Sequence, residues 1–100
     1  MATSVTDTHI FSTKDVAAAG TAVVLDATEQ RLLALMIIAH SDNAGRIFYG
    51  GSDVDSSTQK GLAAGESITI SAGGKPFVLS SIFIDAANND DGVDFVGVQI

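Results

Sequence analysis

Arg31-Leu32-Leu33-Ala34-Leu35-Met36-Ile37-Ile38-Ala39-His40 is the stretch whose conformation decides the fold class. Its apolar residues run together without a helical period. Leucine, alanine and methionine favour helix, so periodicity alone leaves helix and strand open. Thr28 would serve as the cap of a helix. The surroundings favour a strand, because the turn cluster Ser41-Asp42-Asn43-Ala44-Gly45 follows, and then the aromatic segment Arg46-Ile47-Phe48-Tyr49. The reading is a buried central strand, paired in a hairpin with Arg46 to Tyr49.

Working outward, Thr21-Ala22-Val23-Val24-Leu25 is β-branched and bounded by Gly20 and Asp26, as a short strand closed by turns would be. Further strands are expected over Ser67 to Ser71, Phe77 to Asp85 and Val93 to Ile100. Gly50 and Gly51 permit positive φ in a loop whose Ser52 and Asp53 can bond their own backbone, with Leu62 returning to the core. Gly73-Gly74-Lys75-Pro76 marks another turn, glycine providing the unusual dihedrals and proline setting up the next strand. Asn88-Asn89-Asp90-Asp91-Gly92 ends in an Asp-Gly step, which predicts a hairpin joining Ile82-Phe83-Ile84 to the last strand. That strand alternates, with Val93, Phe95 and Gly97 on one face and Asp94, Val96 and Val98 on the other. Asp94 implies that part of the second face meets water.

The first twenty residues alternate weakly, offer only Val5, Ile10, Phe11 and Val16 for burial, and end in Ala17-Ala18-Ala19-Gly20. They read as an N-terminal arm or edge strand, with residues 21–100 as the domain proper. Six to eight short strands separated by turns predict an all-β protein, a single small β-sandwich or jelly-roll-like domain. No repeat of solenoid period is present.

A chain of 100 residues suits one domain that buries roughly 60–65% of its unfolded surface, so association would add stability. Apolar residues make up 46% of the chain and aromatics 6%, which predicts a core of Val, Ile, Leu and Ala. The chain has no cysteine, which rules out disulfides, thiolate metal sites and thiol nucleophiles. Twelve acidic residues against 5 basic ones give a formal charge of −7. That sign repels phosphate backbones and anionic lipids, so neither nucleic acid nor membrane is an expected partner. Met1 to Asp7 lacks the basic start and apolar stretch of a secretory signal, and Leu32 to Ala39 is too short to span a bilayer. A soluble protein made in the cytoplasm is expected.

Candidate chemistry is sparse. His9 and His40 stand far apart in no metal-ligand spacing and read as surface or strand-end imidazoles. Asp85, Asp90, Asp91 and Asp94 crowd together with Asn88 and Asn89, and oxygen-rich loops can hold calcium. Their spacing departs from the EF-hand order, which favours a solvated turn. No serine sits in a Gly-x-Ser-x-Gly elbow, and Gly50-Gly51-Ser52-Asp53 lacks the lysine and following helix of a phosphate loop. No catalytic, cofactor-binding or metal residue is assigned, and an enzyme is not expected.

Ile47-Phe48-Tyr49-Gly50-Gly51-Ser52-Asp53-Val54, Gly61-Leu62-Ala63-Ala64-Gly65-Glu66-Ser67-Ile68 and Leu79-Ser80-Ser81-Ile82-Phe83-Ile84 together resemble small β-sandwich virion proteins of tailed bacteriophages. The likeness covers the second half of the chain. Ala64 stands where such proteins often have proline, a departure that affects turn rigidity. The resemblance implies a capsid decoration, or cement, protein on the exterior of the virion. Such a protein forms a homo-oligomer, commonly a homotrimer, that bridges neighbouring subunits of the major capsid protein. An N-terminal arm would dock by adding a strand to a neighbour, with Ile10 and Phe11 as its contact residues, since exposed apolar side chains need cover. The alternatives are a tail, neck, baseplate or fibre-tip module, or a small glycan-binding domain. The last is weakened by the absence of tryptophan and the single tyrosine, Tyr49.

Overall fold

Arg31–Ala39 is a strand, and it lies inside the larger of two antiparallel sheets. The computed structural model describes residues 9–54, 61–71, 73 and 75–99. Val5 and the rest of 1–8, Gly74 and Ile100 lie outside the described residues. The strands are β1 (His9–Val16), β2 (Val23–Val24), β3 (Arg31–Ala39), β4 (Ile47–Gly50), β5 (Ser67–Ser71), β6 (Phe77–Val78), β7 (Phe83–Ala86) and β8 (Asp91–Gln99). The larger sheet has the order β1-β8-β3-β5, with β6 also on β3, and the smaller has β2-β7-β4. Leu62 adds a single bridge to Ile47 on β4.

β5 and β6 run along the same side of β3, Ser71 opposite Ala34 and Phe77 opposite Leu32. They are two pieces of one interrupted strand. With them counted as one, the chain changes sheet at every connection, which is the winding of a jelly roll.

β3 carries a register shift between Leu32 and Ala34, and this bulge explains its lack of period. Strict alternation from Leu32 would bury Ala34, Met36 and Ile38. The bulge changes phase, so that Leu35, Ile37 and Ala39 turn inward instead. They pack with Leu25, Ile47 and Ile84 from the smaller sheet and with Val93 and Phe95 from β8. β3 is therefore buried on one face only; Leu33 and Met36 are exposed. Gly97 lets β1 approach this core, since a Cβ there would stand 2.9 Å from Ile10 and 3.2 Å from Leu32.

Several expected connections are corrected. β3 and β4 form no hairpin: β3 pairs with β8, β5 and β6, and β4 pairs with β7 in the other sheet. Residues 40–46 instead cross between sheets, and their polar groups are stapled to the start of β8. The Asp91 carboxylate accepts from the backbone N–H of Ala44 (2.9 Å) and of Gly45 (2.8 Å). Asn43 donates to the Gly92 carbonyl and accepts from the Gly92 N–H, each at 2.9 Å. Nor do β7 and β8 make a hairpin, because they too lie in different sheets. The turn there falls on Asp90, at φ 68°, while Asp91 and Gly92 already belong to β8. The expected strand Phe77 to Asp85 is broken by a 3-10 turn over Leu79–Ser81 that buries Leu79 and carries the chain across. Positive φ occurs at Gly20, Gly61, Gly65 and Gly73, not at Gly50 or Gly51.

Two outcomes are expected. Asp91→Ala strands two N–H groups in a partly buried crossing and should lower urea-measured stability by about 2–4 kcal/mol. Asp26 accepts from the hydroxyl and the backbone N–H of Thr28, and these bonds, the hydroxyl first, hold its pKa below the usual carboxylate value. The stability so contributed is present above the ordinary carboxylate pKa of about 4 and is lost as pH falls through the lowered folded value. Thr28→Ala should raise the Asp26 midpoint in an NMR carboxyl titration and flatten the acid limb of stability against pH.

Candidate functional site

Alternation along each strand assigns the outer face of the larger sheet. Phe11 stands opposite Val96, Val96 opposite Met36, and Met36 opposite Thr69, so one row crosses all four strands. Beside it run Val98, Ala34 and Ser71 on one side, and Thr13, Asp94, Ile38 and Ser67 on the other. The band is apolar over β1, β8 and β3 and hydroxyl-bearing on β5. Phe11 is 75% exposed and Met36 40%, with Ile38, Val96 and Val98 half-buried between them. Shallow hollows indent the face. One of about 450 Å³ is lined by Phe11, Thr13, Ile38 and Val96, and one of about 270 Å³ by Ala34, Met36, Thr69 and Val98.

The two expected contact residues part company here. Neighbours in a strand point to opposite faces, so Ile10 packs inward against the core while Phe11 points outward. Val16, at the end of the same strand, is fully buried, which ties residues 9–16 into the sheet as its edge.

One end of the face is polar. His40 Nε2 lies 2.9 Å from Asp94 Oδ1 and 3.1 Å from Thr13 Oγ1, and its Nδ1 is 3.9 Å from Asp15 Oδ1. The Thr13 hydroxyl donates to the Val93 carbonyl at 3.0 Å, leaving it an acceptor toward the ring, and a carboxylate only accepts. Nε2 therefore carries the hydrogen and donates to both. The ring offers Thr13 no base, so the set is a tie between β1, β8 and the end of β3 and not an activated hydroxyl. The side chain of His9 lies outside the described residues.

The clustered aspartates diverge. Asp85 is fully buried, its Oδ1 accepting from the N–H of Gly20 (3.0 Å) and of Ala86 (2.8 Å), while its Oδ2 is buried with no hydrogen-bond partner. Asp91 holds the 44–45 crossing, Asp90 is exposed at its turn, and Asp94 faces His40. Among the described residues, no group of three or more His, Asp or Glu is placed to hold a metal ion. No helix among them is long and apolar enough to cross a membrane.

No family model matches this chain, and no curated protein matches it. The phage likeness therefore rests on the three motif stretches alone. The sequence does not mark Met36 and Ile38 as surface residues, because an unbroken apolar run reads as buried on both faces. Val96 and Val98 were legible, since Asp94 shares their face.

Outer-face and inner-face positions should separate cleanly in urea denaturation. Phe11→Ser and Met36→Ser should each change stability by no more than about 0.5 kcal/mol, whereas Leu35→Ala and Ile37→Ala should each cost about 2–5 kcal/mol.

Proposed function

We propose that this protein is a structural component of a tailed-bacteriophage virion, a capsid decoration protein that seats the outer face of its larger sheet on the major capsid protein at the exterior of the shell. The observation that carries the reading is the continuous apolar band Phe11, Val96, Met36 and Ile38 on the surface of a chain of charge −7. Exposed apolar surface gathered on one face, in a protein otherwise rich in acidic residues, fits a protein–protein contact. The motif resemblance in the second half of the chain supplies the phage setting.

Energetics favour many weak contacts over a single strong one. Burying one large apolar side chain contributes about 1.5–3 kcal/mol, and association costs consume much of what two or three of them supply. A homo-oligomer that meets a repeating shell at several points at once gains avidity, because later contacts form at high effective concentration. The acidic surface suits the outside of the particle, away from packaged nucleic acid. No catalytic step enters this reading.

Met36→Glu tests it, because position 36 sits mid-face on a strand whose inner side it does not touch. The variant should keep the wild-type circular dichroism spectrum and lose at least about tenfold in capsid affinity by co-sedimentation, about 1.4 kcal/mol. Undiminished binding by the folded variant would remove the sheet face from the contact. Densitometry of purified virions tests the location: a decoration protein should approach the major capsid protein in copy number, whereas a tail, neck or baseplate part would be scarce.

A further inference from the structure

We propose that the protein forms a two-fold dimer through β1, the two copies pairing antiparallel about Ser12 so that their larger sheets become one. Unpaired sheet edges invite pairing, and proteins blunt them with short strands, bulges, lysine and proline. Among the described residues, three of the four edges are blunted. β2 is two residues long, β4 carries the Leu62 bridge, and the β5 and β6 side breaks between Ser71 and Phe77, with Lys75 and Pro76 at the break. β1 is different. It keeps unbroken register with β8 from His9↔Val98 to Val16↔Asp91, it carries one lysine, Lys14, but no proline and no bulge, and among the described residues no strand pairs with its outer side. Its backbone is a ready site for strand addition.

The side chains of β1 select a second copy as the added strand. Pairing about Ser12 sets Ser12 opposite Ser12, Phe11 opposite the second copy's Thr13, and Ile10 opposite its Lys14. Inner-face positions then meet inner-face positions. The two Phe11 rings become diagonal neighbours at about 7–8 Å, within reach of aromatic side chains, so each covers a residue that is 75% exposed in the single chain. The Lys14 stem lies across half-buried Ile10.

Charge permits this arrangement despite −7 per chain. The acidic end of the face, Asp15 with Asp94, goes to opposite ends of an antiparallel ladder. The two Asp15 residues stand six positions apart along it, about 20 Å at the strand rise, beyond the Debye length of about 8–10 Å near physiological salt. Parallel pairing would set them side by side. The product is a dimer and not the trimer that the phage resemblance implies.

Light scattering on the isolated wild-type protein should give a mass twice the 10.2 kDa of the chain. Ser12 is exposed and the chain lacks cysteine, so Ser12→Cys, placed opposite itself, should give a disulfide-linked dimer under mild oxidation on a non-reducing gel. Thr28→Cys, exposed in the β2–β3 connection, should stay uncrosslinked. Ser12→Lys and Ser12→Glu should each raise the dimer dissociation constant at least tenfold, and mixing the two should restore pairing. A monomeric or trimeric wild type, or crosslinking no faster at position 12 than at position 28, would overturn the proposal. Capsids take no part in these measurements, so a failed dimer and a failed decoration reading are told apart.

Discussion

Where the chain passes from one sheet to the other it must find partners for backbone groups that leave the ladder, and at two of these crossings acidic and amide side chains supply them. Asp91 and Asn43 hold the crossing after β3 to the start of β8. Asp85 and Asn89 hold the loop after β1, through the N–H groups of Gly20 and Ala19. Polar residues that crowd one stretch of sequence are thus spread over separate crossings. The Asp85 and Asp91 carboxylates are committed to backbone donors and Asp94 to His40, so an acidic stretch that could suggest a cation site is divided among separate structural contacts.

Those staples fix where β3 lies, and β3 in turn fixes the character of both faces of the larger sheet. The bulge at Leu32/Ala34 sends Leu35, Ile37 and Ala39 into the core and leaves Met36 and Ile38 outside. A strand without the bulge would reverse that assignment and bury a different set. The apolar outer band is therefore a consequence of core packing as much as of composition. Among the described residues, packing within a single copy leaves this band uncovered.

The two surfaces of β1 act in different directions. Its outer face contributes Phe11 to the exposed apolar band proposed to seat on the capsid, and its edge carries the backbone groups proposed to pair with a second copy. Joining two copies at that edge would set both bands on the same side of one continuous sheet. Two linked bands would supply the multiple contacts from which avidity arises.

The sequence by itself determined the strand-rich class, the bounds of Ser67–Ser71, and the alternation of β8 with Asp94 toward water. These follow from residue type and from the two-residue period of a strand, both local properties. Only the tertiary structure decided which strands pair, that Ile10 and Phe11 part to opposite faces, and that Met36 is exposed. Turn residues such as those of 41–45 and 88–92 say where the chain bends, but not to which sheet it goes. That choice belongs to burial, because inner faces far apart in sequence must meet in one core, and a single bulge is enough to change which residues those faces present.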